Sequence, residues 1–197
     1  HYINCVGVQG RSTTTFETNL NDYREIFKIN LFPAIFFSNY FLNKWSDLNS
    51  HSIIHFSGGG AATPRPNYDP YSLSKVALVR YVENTSIKIK SKNIKINAVS
   101  PGMMPSNMLI ESIKDKNIQG TDEYSKIESF LRNTKYTSSN IEELCEFLVS
   151  DISSGISGKL ISSKWDNWRA WPDIIDQLTD TDIYTLRRIT QIDGNVS

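Results

Sequence analysis

Tyr71 and Lys75 are the residues whose types and spacing are best suited to chemistry. They lie four positions apart in the segment YSLSK, so on a helix they share one face, one turn apart. An ammonium group near a phenol stabilises the phenolate and lowers the phenol pKa from its usual value of about 10. A phenol tuned in this way can exchange a proton with an alcohol or a carbonyl. The spacing therefore predicts a general acid/base, with Lys75 lowering the pKa of Tyr71.

The surroundings of this pair set it apart from an exposed helix pair with the same spacing. Tyr40 and Lys44 are also four positions apart, but they lie inside an apolar helical pattern. Tyr71 opens a helix that follows an apolar strand, the glycines 58–60 and a loop with two prolines. This context favours a functional role for Tyr71 and Lys75.

The elements that must position these residues alternate between strand and helix. Apolar runs that end at turn residues predict strands at 2–7, 52–57, 93–99 and 159–163. Apolar residues at helical spacing predict helices at 19–45, with a kink at Pro33, and at 69–91, 106–117, 122–133 and 138–151. The alternation predicts an α/β fold with a parallel sheet and right-handed crossovers.

Five segments, in this order, resemble landmarks of the short-chain dehydrogenase/reductase family. They are INCVG, KINL, IIHFSGG, YSLSK and INAVSPGMMPS, and together they extend from Tyr2 to about Ser163. The resemblance implies a partial Rossmann-type doubly wound parallel sheet, with strands 4 to 7 of the family fold and their flanking helices. Residues 1–163 would form the C-terminal part of a dehydrogenase domain. Residues 164–197, with three tryptophans, would form a tail that packs on the domain or at a subunit interface.

The resemblance implies an NAD(P)-dependent oxidoreductase that moves hydride between nicotinamide and a carbonyl or secondary alcohol. Tyr71 would be the acid/base, and Lys75 would lower its pKa and hydrogen-bond the nicotinamide ribose, so that both residues lie against the cofactor. Asn30 would hold a water molecule in a proton relay from Lys75. Ser57 would hydrogen-bond the substrate oxygen, where negative charge develops.

Five further positions would contact the cofactor if the resemblance holds. Asn4 and Gly7 would lie beside its adenosine half, Pro101 and Gly102 would shape the wall beside the nicotinamide, and Ser106 stands where the family often has a threonine that contacts the carboxamide. A purely structural role also remains possible for each of these five residues. Each of these residues also suits a turn or, for Ser106, a helix N-cap. Similarly, Asn30 could cap or bend its helix.

Two departures from the family pattern matter. Counting back from Tyr71 puts the family serine position at Gly58, whereas counting forward from Asn30 puts it at Ser57. We expect Ser57. If Gly58 holds the position, polarising the carbonyl falls to Tyr71 and a backbone N–H.

The second departure is that no segment matches the family's Gly-x-x-x-Gly-x-Gly turn, which cradles the pyrophosphate. We therefore expect the chain to begin about halfway through a doubly wound domain, with the strand at 3–6 and the apolar faces of two helices exposed. The choice between NAD and NADP is left open. A truncated, inactive fragment or a non-catalytic subunit is the alternative function. An epimerase or dehydratase ranks lower, because NAVSPG fits the short single-domain dehydrogenases better.

The charge balance of the sequence limits which classes of partner the protein can bind. Lysines plus arginines number 21, as do aspartates plus glutamates, and this balance argues against a nucleic-acid or polybasic membrane surface. No apolar run approaches the roughly 20 residues of a membrane span.

The first ten residues do not resemble a signal peptide, and Cys5 and Cys145 suit buried free thiols, so we expect a cytoplasmic protein. His55 suits a core position, and no metal site is predicted. The predicted partners are a carbonyl or alcohol substrate and, through the helices of Asn30 and Tyr71, further copies in a homodimer or homotetramer.

Overall fold

Four parallel strands form the sheet at the centre of this computed structural model. The structure describes residues 1–13, 16–46, 48–90, 92–133 and 136–189. The strands are β1 (Tyr2–Asn4), β2 (His51–Phe56), β3 (Ile94–Ser100) and β4 (Leu160–Ser162), and they lie side by side in that order. In the shared register Tyr2 lies opposite Ile53, and Ile53 lies opposite Ile96. The predicted α/β fold with a parallel sheet is confirmed.

Helices cover both faces of the sheet. They are α1 (Leu20–Asn30), α2 (Phe32–Lys44), α3 (Asp69–Lys88), α4 (Asn107–Lys114), α5 (Asp122–Asn133), α6 (Ser139–Val149) and α7 (Ile175–Leu178), with short 3₁₀ turns at Lys116–Ile118, Asp151–Ser153 and Trp168–Ile174. Neighbouring residues of β2 point to opposite faces. Ile53 packs with Val79 of α3, and Ile54 packs with Leu148 of α6. Such packing on both faces is the doubly wound arrangement that the resemblance implies.

The long helix predicted at 19–45 is instead two helices that meet at Leu31. The first begins at Asn19, whose side chain accepts hydrogen bonds from the backbone N–H groups of Asn21 and Asp22. It ends at Asn30. Pro33 lies in the first turn of α2, where its missing N–H removes no helical hydrogen bond. Proline therefore starts a new helix here rather than kinking a continuous one, and the break leaves the Asn30 side chain at the end of a helix.

Two of the three tryptophans in the predicted tail are buried, and residues 190–197 of that tail lie outside the described residues. Trp168 and Trp171 are buried among residues of β4 and α6, whereas Trp165 is exposed. The ammonium of Lys159 donates to the backbone oxygens of Thr181 at 2.7 Å and Ile183 at 3.0 Å. The tail is thus held by apolar burial and by a buried lysine.

Apolar side chains are exposed on and beside β1 and on α2. Ile3 and Val6, on and just after the edge strand β1, are 43% and 54% exposed, and α2 exposes Phe32, Phe36 and Tyr40. Cys5 is a free thiol but it is exposed, so its predicted burial is wrong, because it follows the last residue of an edge strand. Among the described residues, no helix is both long enough and apolar enough to cross a membrane.

Candidate functional site

The carboxyl end of β2 brings the predicted catalytic pair together. The first turn of α3 contains Asp69 and Pro70, two residue types that suit the start of a helix. The helix therefore begins just before Tyr71 and directs the side chains of Tyr71 and Lys75 toward β2. The ammonium of Lys75 donates to the backbone oxygen of Phe56, the last residue of β2, at 2.8 Å. The same nitrogen lies 5.7 Å from the centre of the Tyr71 ring. Both side chains are buried.

The Tyr71 hydroxyl occupies the space that a side chain at position 58 would need. A Cβ built on Gly58 would lie 2.2 Å from the Tyr71 oxygen, far inside van der Waals contact. Only glycine therefore fits at this position while the phenol keeps its place. The close approach also fixes where the phenol oxygen lies, just past the end of β2.

Ser57 carries a hydroxyl that the protein leaves without a hydrogen bond. Its backbone N–H donates to Val99 at 2.8 Å, which continues the pairing of β2 with β3. Its Oγ is buried and has no hydrogen-bond partner in the part of the chain that the structure describes. Buried hydroxyls without a partner are uncommon in proteins, because such a group loses its bonds to water. The hydrogen-bonding capacity of this hydroxyl is thus unused among the described residues.

The predicted lowering of the Tyr71 pKa by Lys75 is wrong in direction. Burial raises the pKa of Tyr71 above 10.0, and the charge of Arg65, not of Lys75, opposes that rise. Burial also lowers the pKa of Lys75 from 10.5 to about 8. The physical reason is the same for both, since removal from water penalises phenolate and ammonium alike. The phenol therefore carries its proton at neutral pH.

Asn30 ties the loop after β1 to the start of α3. Its Oδ1 accepts from the backbone N–H of Val8 at 2.8 Å, and its Nδ2 donates to the Val8 oxygen at 2.8 Å and to the Ser74 hydroxyl at 3.0 Å. Gly7 is held against the same cluster. A Cβ there would lie 3.2 Å from the Lys75 ammonium and 3.6 Å from the Asn30 oxygen. Gly7, Asn30 and Lys75 thus form one group.

Asn4 is directed away from this group, into the core. Its Nδ2 lies 3.3 Å from Nδ1 of His55, and its Oδ1 accepts from the backbone N–H of Val6 at 3.1 Å. His55 is fully buried, and its Nε2 lies 2.8 Å from the Ser38 hydroxyl. Burial, assisted by the charge of Lys75, lowers the pKa of His55 to about 4. His55 is therefore the neutral core histidine that the sequence predicted.

Pro101, Gly102 and Ser106 lie in the segment that leaves the carboxyl end of β3. The Pro101 oxygen accepts from the Ser163 hydroxyl at 3.1 Å, and Gly102 has a φ of +76°, a conformation suited to glycine. Ser106 is the N-cap of α4, where its hydroxyl accepts from the N–H of Leu109 at 3.4 Å. Residues of α4 and α5 pack around Tyr71 in one apolar cluster. The helices that follow this segment, rather than the segment itself, therefore pack against the phenol ring.

A cleft of about 570 Å³ opens between the loop after β1 and α4. Gly7 and Tyr68 line it, and the Gln9 side chain crosses from the loop to the Ser112 hydroxyl on α4 at 2.7 Å. Gly7 therefore both lines the cleft and lies against Lys75. Sequence reasoning missed Gln9, Tyr68 and the neighbouring Arg65, because no spacing in the sequence relates them to Tyr71.

The lowered pKa of Lys75 predicts a pH-dependent stability. Between pH 8 and 10.5 the unfolded chain holds a proton on Lys75 that the folded chain has lost, so the free energy of unfolding rises with pH in this window. The contribution is on the order of 3 kcal/mol. Lys95, also buried, has its pKa lowered to about 8 and adds a similar rise.

We therefore expect Lys75→Met to remove about half of this rise in urea unfolding measured at pH 7.5, 8.5 and 9.5. Lys44→Met, at the exposed lysine of the other tyrosine–lysine pair, is the matched control and should leave the rise unchanged. An unaltered rise in the Lys75 variant would contradict the burial of its ammonium.

Comparison with known proteins finds sequence similarity to several reductases. A family model described as enoyl-(acyl carrier protein) reductase matches residues 1–163. An enoyl-[acyl-carrier-protein] reductase [NADH] of Buchnera aphidicola is 34% identical over 113 residues, which are 57% of this chain and 42% of that protein. Dehydrogenase/reductase SDR family member 4 of Sus scrofa is 30% identical over 56% of this chain and 38% of its own length.

Solved structures share the fold. A 3-ketoacyl-(acyl-carrier-protein) reductase from Brucella melitensis, solved with NADH, superposes with a TM-score of 0.66 at 17% identity. The match covers 81% of this chain and 63% of that one. The chain thus spans roughly two fifths of the length of the two curated relatives above, at 42% and 38%.

Proposed function

The chain belongs to the short-chain dehydrogenase/reductase family, and on that premise we propose that it serves NAD(P)-dependent hydride transfer to a carbonyl or from a secondary alcohol, with Tyr71 as the acid/base. One observation carries the proposal. The Tyr71 hydroxyl, beside Gly58, and the Lys75 ammonium, bonded to Phe56, both lie at the carboxyl end of β2. In open parallel sheets this edge is the usual place for ligands.

The residues present suit the nicotinamide half of a dinucleotide. Gly7 lies against the buried Lys75 ammonium without a side chain of its own, and the same glycine lines a cleft of about 570 Å³. Lys75 would hold the ribose, and Pro101 and Gly102 would form the wall. Bound NAD or NADP would supply or accept the hydride at its nicotinamide ring.

The remaining cofactor residues would act through the backbone. Asn4 holds the turn that leads to Gly7 by accepting from the N–H of Val6. Ser106 caps α4, and Asn30 fixes the loop that carries Gly7 against α3. In this proposal Asn30 sets the distance between Gly7 and Lys75. Its amide oxygen and nitrogen already form hydrogen bonds with Val8 and Ser74, so a water molecule bound by Asn30 would have to share these atoms.

Tyr71 supplies the proton in the direction of reduction. Its raised pKa keeps the phenol protonated at neutral pH, so it can donate to an oxygen on which negative charge develops when hydride reaches the adjacent carbon. Ser57 would donate a second hydrogen bond to that oxygen from its unpartnered hydroxyl. We prefer Ser57 to Gly58 in this role, because Gly58 has no side chain and provides the space for the phenol.

Reduction of an enoyl thioester is a second candidate reaction. It is favoured by the description of the matching family model and by the name of the Buchnera aphidicola relative. There hydride adds to the β-carbon and the oxygen of the resulting enolate needs the same proton donor. Assays with a β-ketoacyl thioester and an α,β-unsaturated acyl thioester, each with NADH or NADPH, distinguish the two reactions.

We also propose self-association into a homodimer or homotetramer. Phe32, Phe36 and Tyr40 of α2 are more than half exposed, and Leu73 of α3 is 49% exposed. Apolar side chains of this number on two adjoining helices suit an interface between copies. The cytoplasmic location stays a prediction.

Binding of the dinucleotide tests the proposed function against a non-catalytic subunit. We expect saturable changes in protein and nicotinamide fluorescence when the chain is titrated with NADH and NADPH. Lys75→Met should weaken binding about tenfold, the loss expected for one charge-assisted hydrogen bond, and Lys44→Met should not weaken it. Absence of saturable binding with both dinucleotides would contradict the proposal and favour the non-catalytic alternative.

A further inference from the structure

Arg65 lies in the loop between β2 and α3, and its guanidinium contacts three separate parts of the site. Its two terminal nitrogens each donate to Oε1 of Gln9 at 3.3 Å, and one of them also forms an ion pair with Glu123 of α5. Its central carbon lies 4.5 Å from the centre of the Tyr68 ring and 5.4 Å from that of Tyr71.

The first consequence of these contacts is mechanical. Gln9 holds Ser112 of α4 by a 2.7 Å hydrogen bond, so Arg65 joins the loop after β1 to α4, and through Glu123 to α5. The side chains of Arg65 and Glu123 are only 19% and 25% exposed, and a pair shielded from solvent in this way is weakened less by salt than a surface pair. The elements that pack around Tyr71 are thus connected through one side chain.

The second consequence is electrostatic. Arginine keeps its charge throughout the working pH range, whereas Lys75 has a pKa lowered to about 8 and is bonded to the Phe56 oxygen. The Arg65 charge is also the one that opposes the rise in the Tyr71 pKa. A guanidinium over the face of a phenol ring stabilises the ring's negative form by direct attraction.

We propose that Arg65 is a positioning residue for the proposed reaction, clamped between Gln9 and Glu123 so that it holds the Tyr71 ring and supplies the permanent positive charge that stabilises its phenolate. This role rests on the proposed function, because Tyr71 is taken there as the acid/base. Arg65 reaches the phenol from the side of Gln9 and Glu123, whereas Lys75 lies 5.7 Å from the centre of the same ring and donates to the Phe56 oxygen.

Direct titration of Tyr71 in the 197-residue chain, without cofactor, tests the proposal. The probe is the ¹³C NMR signal of ring-labelled tyrosine, assigned by its loss in Tyr71→Phe, because this signal reports ionisation without turnover. In Arg65→Gln we expect the pKa of Tyr71 to rise. Arg65→Lys keeps a charge and should give a smaller rise. Arg132→Gln, which removes an exposed arginine paired with Glu128 on α5, is the matched control and should give none.

A second variant, Glu123→Gln, keeps the proposal testable if Arg65→Gln does not fold. Glu123→Gln removes the counter-charge of Arg65 but keeps an acceptor, so the pKa of Tyr71 should fall. No rise in a folded Arg65→Gln, an equal rise in Arg65→Gln and Arg65→Lys, or no fall in Glu123→Gln would each overturn the proposal. Failure of the chain to bind NADH or NADPH would refute the proposed function and leave this titration unaffected, so the two failures are distinguishable.

Discussion

Tyr71→Phe is expected to lower turnover about a thousandfold, within the range that general acid catalysis contributes, while the fold persists. Among the described residues no protein group hydrogen-bonds the Tyr71 hydroxyl, and the ring packs with Tyr68, Ile118 and Ile127. Phenylalanine keeps that packing. Removal of a hydroxyl that no described group hydrogen-bonds should leave the free energy of unfolding nearly unchanged. The measurements are the rate of NADH or NADPH oxidation with the thioester panel, and urea unfolding.

Tyr40→Phe is the matched control for this variant, since Tyr40 also precedes a lysine by four residues but is 52% exposed on α2. Its turnover should equal that of the wild type. A Tyr71→Phe variant that turns over as fast as Tyr40→Phe would show that another group supplies the proton.

Gly58→Ala should be nearly as damaging, although it removes no functional group. Its new Cβ would lie 2.2 Å from the Tyr71 oxygen, so the phenol must leave its position. Overpacking of this kind typically costs about 1–3 kcal/mol of stability, and a displacement of about 1 Å at a reacting atom lowers rates about a hundredfold. We expect both losses. Gly59→Ala is the control, because its Cβ would meet only Arg65 Cδ, at 3.4 Å.

A double-mutant cycle isolates the clash. In a Tyr71→Phe background the contact at 2.2 Å disappears, and the nearest ring atom then lies 3.3 Å from the new Cβ. Gly58→Ala should therefore destabilise this background less than the wild type, with a coupling of about 1–2 kcal/mol. Equal destabilisation in the two backgrounds would mean that the hydroxyl does not occupy this space.

The fold was predictable because each element has a local pattern. The run IIHF predicts a buried strand, and it forms β2 with Ile53 and Ile54 fully buried. A strand, glycine-rich loop and proline before a helix predict the entry to α3, so the meeting of Tyr71 and Lys75 at the sheet edge also follows from the sequence. The break at Leu31 was not predicted, because a proline near the middle of a helical pattern can kink one helix or begin another.

The electrostatics of the site were not predictable, because they depend on contacts between distant parts of the chain. The sign of the Tyr71 pKa change depends on burial by α4 and α5, and spacing alone indicates only the lysine one turn away. Arg65 and Glu123 are 58 residues apart in sequence. The partner of the Asn30 amide, Val8, lies 22 residues earlier in an irregular loop. No periodic pattern relates such residues.

Transfer of deuterium from nicotinamide to substrate tests the central claim most directly. The chain would be incubated with NADH or NADPH deuterated at both C4 positions and with each acyl thioester, and the products examined by mass spectrometry. Our account predicts products one mass unit heavier than with unlabelled dinucleotide for the wild type and for Tyr40→Phe, and almost none for Tyr71→Phe in the same time. Deuterated product formed equally by Tyr71→Phe, or by none of the three proteins, would contradict it.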